Sequence, residues 1–492
     1  VIVEEDRLAG PALVWFREDF RVADNPALAH AVETGAPVLC VYLHDEESPE
    51  VRPLGGAARW FLHGSLDALA RALAERGSEL LILRGAAREA IPRIARETGA
   101  AHVVSNRRYG AEREIDADIE ATLKDAGVAA KSCKARVLYE PGEVTTKTGG
   151  LYRVFTPYRN ATLAFDPPPP PLPAPSRIET GSWPAAIRAR AVRLPDLALE
   201  PTAPDWAGGL RETWTRGEAG AQARLAAFLD GTLSGYAGSR NRPDLETTSM
   251  LSAHLRFGEI SPRQVVHAAL HARDAGRIPP EDYDMLRSEL GWRDFSHQLL
   301  FAQPDIARTN MVRGFDAFPW RTDEAALEAW RRGRTGYPLV DAGMRQLWRT
   351  GFMHNRVRMV VGSFLVKHLL VDWRFGEDWF WDTLCDADPA NNAASWQWVA
   401  GSGADASPYY RIFNPVAQGE KFDPAGDYVR RFVPELSRLP AHVIHRPWEA
   451  PRNVLEKAGV ALGETYPLPI VAHEEGRRRA LDALAQMKKT AA

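Results

Sequence analysis

The chain is 492 residues long, room for roughly two to four domains of about 150 residues each. Its 61 Lys and Arg nearly balance 64 Asp and Glu, giving a net charge of -3, so charge alone points to no polyanionic partner. A composition that is 45% apolar and 25% charged excludes long disorder, collagen and a coiled-coil rod, and no run approaches the ~18 consecutive apolar residues of a membrane span.

Residues 1–7 are too acidic for the n-region of a secretory signal. The three thiols, Cys40, Cys133 and Cys385, are too few for a disulfide framework or a four-thiolate iron–sulfur cluster. Both features lead to the expectation of a cytoplasmic protein. Across 1–135, short apolar and β-branched runs at 12–16, 38–43, 80–83 and 102–105 alternate with amphipathic stretches at 57–76 and 88–98. Gly77 and Gly99 close those stretches as helix C-terminal signals. Strand–helix alternation predicts a parallel, doubly wound, Rossmann-like α/β domain. No G-x-G-x-x-G follows the first strand, so no dinucleotide site is expected there. Residues 136–205 carry Pro167 to Pro171 in succession, with six more prolines following them, which reads as an interdomain connector. From 206 to 492 the pattern is helical, with stretches at 220–230, 262–273, 283–301, 324–332, 341–349, 356–371 and 378–385, so a large all-α domain is expected. The 15 Trp are either core filling or indole chemistry.

Four constellations in the helical region carry chemistry. The loop from Gly235-Tyr236 through Arg240 to Thr248-Ser249-Met250-Leu251-Ser252 places hydroxyls at a helix start, which suits an anion; a capped helix after a surface loop is the alternative. Glu289, Trp292 and Arg293 are spaced to share one helix face, fitting either a flat, partly anionic ligand or an ion pair beside a core Trp. Asn355, Arg358 and Met359 repeat that spacing. Arg356 and Arg358, set among Met353, His354 and Asn355, call for a carboxylate or phosphate rather than bulk solvent. Asp386-Ala387-Asp388 heads a block running through Asn392, Trp396 and Trp398 to Asp405, Tyr409, Arg411 and Gln418. D-x-D could mark a divalent-metal pair, but no neighbouring His or third carboxylate completes one, so no metal is expected.

Together with Trp15-Phe16-Arg17-Glu18-Asp19-Phe20-Arg21 and Asp24-Asn25-Pro26 near the N-terminus, these motifs resemble in order and spacing those of the DNA photolyase and cryptochrome family, over about 11–450. The wording around Asp386–Asn391 and Val399–Asp405 is most similar to class III proteobacterial photolyases acting on cyclobutane pyrimidine dimers. The resemblance implies an antenna-binding α/β domain ahead of a helical FAD-binding domain. In it Tyr236, Thr248, Ser249, Met250, Leu251, Ser252 and Arg293 would line the diphosphate and ribityl chain. Asn355, Arg358, Asp386, Ala387 and Asp388 would surround the flavin and adenosine, with Arg358 paired to Asp386. Asn392 would face flavin N5, where an amide favours the reduced flavin without delivering a proton. Trp396, Trp373 and Trp320 would form a photoreduction chain. Glu289, Trp292, Asn355, Met359 and Trp398 would hold a flipped-out dimer, and Arg240, Arg356, Arg411 and Gln418 would meet the DNA.

The implied activity is that of a carbon–carbon lyase. Excited reduced FAD gives an electron to the dimer, the C5–C5 and C6–C6 bonds split, and the electron returns. A monomer acting on UV-damaged DNA, away from membranes, is expected. The antenna would be methenyltetrahydrofolate, with 8-hydroxydeazaflavin or no antenna as alternatives. A (6-4) enzyme would show a His pair near Asn355 and Met359, where only His354 stands. The rival reading is a cryptochrome photoreceptor signalling through a protein partner, which the repair-type Glu289, Trp292, Met359, Asn392 and Trp398 disfavour. A plain flavin electron-transfer protein would leave those residues unexplained.

Overall fold

Apolar runs too short for helices assemble into five parallel strands: β1 (Ala12–Phe16), β2 (Val38–His44), β3 (Leu80–Arg84), β4 (His102–Asn106) and β5 (Ala129–Cys133), in the order β3-β2-β1-β4-β5. In this computed structural model, which describes residues 10–406 and 410–490, Ala12 of β1 lies opposite Val38 on one side and His102 on the other. The acidic stretch 1–7 and Tyr409 lie outside the described residues. The connecting helices are α1 (Pro26–Glu33), α2 (Gly56–Ala74), α3 (Ala87–Thr98) and α4 (Glu112–Asp125). Asn25 starts α1 by accepting from Leu28 N–H at 3.1 Å, with Pro26 at the first helical position, where its missing N–H costs nothing. Gly99, at φ 64°, ends α3. The expected parallel, doubly wound domain is therefore present, with one strand more than the apolar runs indicate. β5 reads Ala-Ala-Lys-Ser-Cys and is mostly exposed at the sheet edge, so it needs no apolar run.

Two compact units result. The first gathers the described residues through Ala207 with Trp214–Ser234 and Ser249–Pro304; the second gathers Gly208–Thr213, Gly235–Thr248 and the described residues from Asp305 on. Within the first, the proline-rich connector is not loose. Thr180 bridges to Val38, and Trp183 and Ile187 enter the same core as Leu13, Val41, Ile91 and Val103. The connector also forms α5 (Phe155–Thr162), and this unit includes α6 (Pro262–Asp274) and α7 (Pro280–Ala302). Asp294 of α7 accepts from the backbone N–H groups of Leu138 and Tyr139 at 2.9 and 3.1 Å. Burial holds its carboxyl up at about 6.

The second unit is helical: α8 (Pro338–Thr350), α9 (Asn355–Ser363), α10 (Trp373–Thr383), α11 (Pro389–Ala400) and α12 (His473–Thr490) are its main described elements. The stretch expected as one helix over 356–371 is α9 followed by a π turn at Phe364–His368. The helix expected at 378 begins at Trp373, because Asp372 accepts from Arg374 N–H at 2.9 Å and so sets the N-terminus. α12 turns Ala480, Ala483 and Met487 inward and Arg477, Arg478, Lys488 and Lys489 outward. Trp330 is fully buried; its indole N–H donates to Val361 O at 3.1 Å, and its ring meets Trp396 edge-on at 6.2 Å. Among the described residues no helix is long and apolar enough to cross a membrane.

Trp330 anchors this unit, so Trp330→Ala should lower its stability by about 3–5 kcal/mol through lost burial and an unfilled cavity. Urea unfolding followed by far-UV circular dichroism is the measurement; a change below about 1 kcal/mol would show that the site collapses around the smaller side chain.

Candidate functional site

In the helical unit, the Asp386-Ala387-Asp388 motif splits into two jobs. Arg358 donates from one terminal nitrogen to both Asp386 oxygens at 3.1 and 2.8 Å, and from Nε to Met353 O at 2.7 Å. Asp388 is the N-cap of α11, accepting from Ala390 and Asn391 N–H at 3.0 and 2.9 Å. One carboxylate is thus neutralised by a guanidinium and the other faces backbone donors, which leaves no pair for a cation. Among the described residues no group of three or more His, Cys, Asp and Glu is arranged to hold a metal. Ala387, between them, is buried.

Asn392 follows one turn into α11 and is buried. Its amide donates to Glu377 O at 3.0 Å and to Glu377 Oε1 at 2.8 Å, so both acceptors fix the amide's orientation. Both N–H groups are consumed, and only the carbonyl Oδ1 remains to meet a ligand, as an acceptor. Glu377, fully buried on α10, is absent from the sequence reading; the one available signal was an acid within the aromatic-rich run from Trp373 to Trp381.

Trp396 lies four residues beyond Asn392, hence on the same helix face. A Cβ built on Gly376 would fall 2.2 Å from its ring, and Gly362 also lies against that ring. Trp373 precedes Gly376 by three residues on α10, so α11 brings Trp396 onto the α10 face that carries Trp373. Trp373 is fully buried and donates to Asn310 Oδ1 at 2.9 Å. Trp320 is only partly buried and packs on Phe318 with centroids 4.3 Å apart. The remaining tryptophans do not all fill core: Trp348 is 63% exposed and Trp206 43%.

A basic cluster occupies the same unit. Arg356 donates to Asn241 Oδ1 at 2.8 Å and covers Phe422 at 4.6 Å. Burial and the facing charges of Arg240 and Arg411 lower its proton affinity. Like charges gather there at an electrostatic cost that an anion would remove. His354 caps α9, its Nδ1 accepting from Arg356 N–H at 3.2 Å. Burial, then Arg358, Arg240 and Arg356, push its imidazole down to about 4, so it is neutral at physiological pH. Asn355 and Arg411 are exposed; Met359, Trp398 and Gln418 are half-buried.

The other sequence-selected residues belong to the first unit, apart from Tyr236, buried, and Thr248, half-buried. Met250 adopts φ 54°, a left-handed conformation costly for a side chain with a Cβ. It follows Ser249, whose Oγ accepts from Leu251 N–H at 3.3 Å. Leu251 is buried. On α7, Glu289 and Trp292 are half-buried and Arg293 is buried, its guanidinium donating to the backbone oxygens of Arg136 and of Leu255, the latter at 3.3 Å. Trp292 stacks on Phe155 with centroids 3.7 Å apart at 13°. Phe155 was missed because its connector shows no periodicity.

Among the selected residues, Ser252 Oγ, Arg356 Nε, Trp396 Nε1 and Gln418 Oε1 are buried polar atoms with no hydrogen-bond partner. A buried polar group left unpaired costs about 1–3 kcal/mol, a cost that a bound ligand or water pairing with it would remove. The donor set of hydroxyl, guanidinium, carboxylate and acceptor-only amide fits a flavin nucleotide.

The model of the DNA photolyase domain matches residues 12–176, and that of the FAD binding domain of DNA photolyase matches 285–486. Deoxyribodipyrimidine photo-lyase of Agrobacterium fabrum is 51% identical over 98% of each chain. Cryptochrome-1 of Arabidopsis thaliana is 40% identical over 97% of this chain and 70% of its own. The crystal structure of a bacterial class III photolyase from Agrobacterium tumefaciens superposes with a TM-score of 0.93 at 49% identity, covering 99% of this chain and 100% of that one. The fold is that of a flavin-binding photolyase-type protein. The chain belongs to the DNA photolyase family, with an FAD-binding domain, and its structural match is to class III.

Because folded His354 resists protonation, the unfolded chain takes up that proton first as pH falls. Stability from this residue is complete above about pH 6.5 and declines toward about 4. The wild-type advantage over His354→Asn in urea midpoint should therefore shrink between pH 7.5 and 5; an advantage independent of pH would refute the buried neutral imidazole.

Proposed function

We propose that this protein repairs cyclobutane pyrimidine dimers in DNA under blue light, as a deoxyribodipyrimidine photo-lyase using reduced FAD. The observation that carries the reading is Asn392: with both amide N–H groups held by Glu377, it offers a neighbouring ring nitrogen only an acceptor. Such a side chain stabilises a protonated, reduced flavin nitrogen as N–H donor and has no proton to give. Bound and reduced, FAD supplies the electron that light drives onto the dimer and recovers after the C5–C5 and C6–C6 bonds part.

The chain's own groups supply position and electrostatics. Arg358 holds Asp386 in orientation through two hydrogen bonds, so this carboxylate can accept from the flavin edge. Ser249, Met250, Leu251, Ser252 and Arg293, with Tyr236 and Thr248, serve the diphosphate and ribityl chain; Ser252 Oγ has a hydrogen-bonding capacity still unmet. Asn355, Ala387 and Asp388 complete the cofactor contacts. Trp292, braced by Phe155, presents a rigid face for the extruded dimer, with Trp398 and Met359 as the other apolar walls. Glu289 binds the pyrimidine edge and steadies its developing charge. Arg240, Arg356, Arg411 and Gln418 meet the phosphate backbone, so affinity should fall with salt. Trp396, Trp373 and Trp320 pass oxidising equivalents outward, since indoles are among the few side chains an excited flavin oxidises.

The α/β domain of residues 1–135 hosts an antenna, read as methenyltetrahydrofolate, with 8-hydroxydeazaflavin or none as the outcomes that near-UV absorbance would distinguish. Residues 136–205 connect it to the catalytic domain of 206–492, and the protein works as a cytoplasmic monomer.

Purified protein with FAD, photoreduced and mixed with UV-irradiated oligothymidylate, should remove dimers under blue light. FAD reduction with persistent dimers would instead establish the photoreceptor reading. Trp373→Phe should slow photoreduction at least about 10-fold while dithionite-reduced enzyme repairs at the wild-type rate. Equal loss of both activities would remove Trp373 from the relay.

A further inference from the structure

A cleft of about 680 Å³ opens in the helical unit where α8, α10 and the helix Glu324–Arg331 approach one another. None of its lining residues belongs to the site described above. Trp348, at the end of α8, is 63% exposed. An indole so placed forgoes burial worth about 2–3 kcal/mol. Its ring lies parallel to that of Trp379, with centroids 6.0 Å apart and 8° between planes, and the Arg331 guanidinium covers Trp379 at 5.2 Å. The result is a preformed flat surface that solvent still reaches.

The charges beside it are unevenly matched. Glu328 pairs with Arg332, and Glu435 pairs with Arg345 at 2.8 Å. Both glutamates in the cleft are thereby committed. Arg331 and Arg334 have no carboxylate partner among the described residues, and Arg331 Nε is buried with no hydrogen-bond partner. Two uncompensated guanidinium groups therefore stand next to an open aromatic face. A cleft of this size accommodates a mononucleotide, as small-ligand sites run to roughly 300–1,000 Å³.

We propose that this cleft binds a nucleotide, its base stacked on Trp348 and its phosphate held by Arg331 and Arg334. The chemistry is the same whether the nucleotide is free or one unit of a single strand, because every base presents a π-face and every nucleotide a phosphate.

The test is a fluorescence anisotropy titration of FAD-loaded full-length protein with etheno-AMP, with flavin absorbance followed to show that FAD stays bound. Saturable binding to one site is expected. Trp348→Ala should weaken it about 10-fold and Trp348→Phe about 3-fold or less. The double variant R331Q/R334Q should weaken it about 10-fold and flatten its salt dependence, and etheno-adenosine, which lacks the phosphate, should bind about 10-fold more weakly than etheno-AMP. Competition by octathymidylate in the wild type would make a strand the source, and its failure to compete would make it a free nucleotide; both support the cleft as a nucleotide site. The proposal is overturned by absence of saturable binding, or by equal affinity in wild type and Trp348→Ala. Repair activity is read in parallel, and a Trp348→Ala protein that repairs normally but has lost etheno-AMP separates this cleft from the repair site.

Discussion

The helical unit is organised by how closely α11 approaches α10 at Gly376. Any side chain there would collide with the Trp396 ring, so the crossing exists only because residue 376 has no Cβ. That approach sets two features at once. It lays Trp396 on the α10 face carrying Trp373, and it brings Asn392, one turn earlier on α11, to the buried Glu377 beside Gly376. The orientation of an amide and the placement of an indole, chemically unrelated, are consequences of one helix contact. A larger residue at 376 would disturb both, because α11 moves as a rigid element.

Electrostatics follow a similar division between average and local. The overall charge of -3 conceals a group of arginines in which burial, then the charges of Arg240 and Arg411, lower the proton affinity of Arg356. The unit tolerates this because neighbouring groups are kept neutral or committed: His354 stays unprotonated at neutral pH, and Asp386 is already paired with Arg358. Unpaired buried atoms at Arg356 and Gln418 carry the same message in hydrogen-bond terms. Positive charge and unmet bonding capacity are retained where an anionic ligand would relieve both.

Legibility of the sequence varied with the physics of each element. β1 to β4 were visible because strands buried on both faces must be apolar runs, while β5, at the edge, had no such obligation. Most long helices were visible through their 3.6-residue period. α11 was not counted among them, since Pro389 and small polar residues obscure its periodicity, although Asp388 and Pro389 form a helix start in the structure. Family motifs located the selected side chains along the chain, but their partners were another matter. Glu377 and Phe155 contact Asn392 and Trp292 through tertiary packing alone, across 15 and 137 residues of chain, and no local pattern encodes such a pairing.

By itself the sequence determined the class of fold, the membership of the family and the residue types able to hold a flavin nucleotide, because these follow from periodicity, from motif order and from the chemistry of single side chains. Only the tertiary structure decided what each of those side chains has left to offer. It made Asp388 a helix cap and Asp386 an ion-pair partner, turned Asn392 into an acceptor, and left Trp348 on the surface when tryptophan usually fills a core. The physical reason is that hydrogen-bonding capacity and exposure are residual quantities. They are what remains after packing has assigned every other partner, and packing is a property of the whole folded chain.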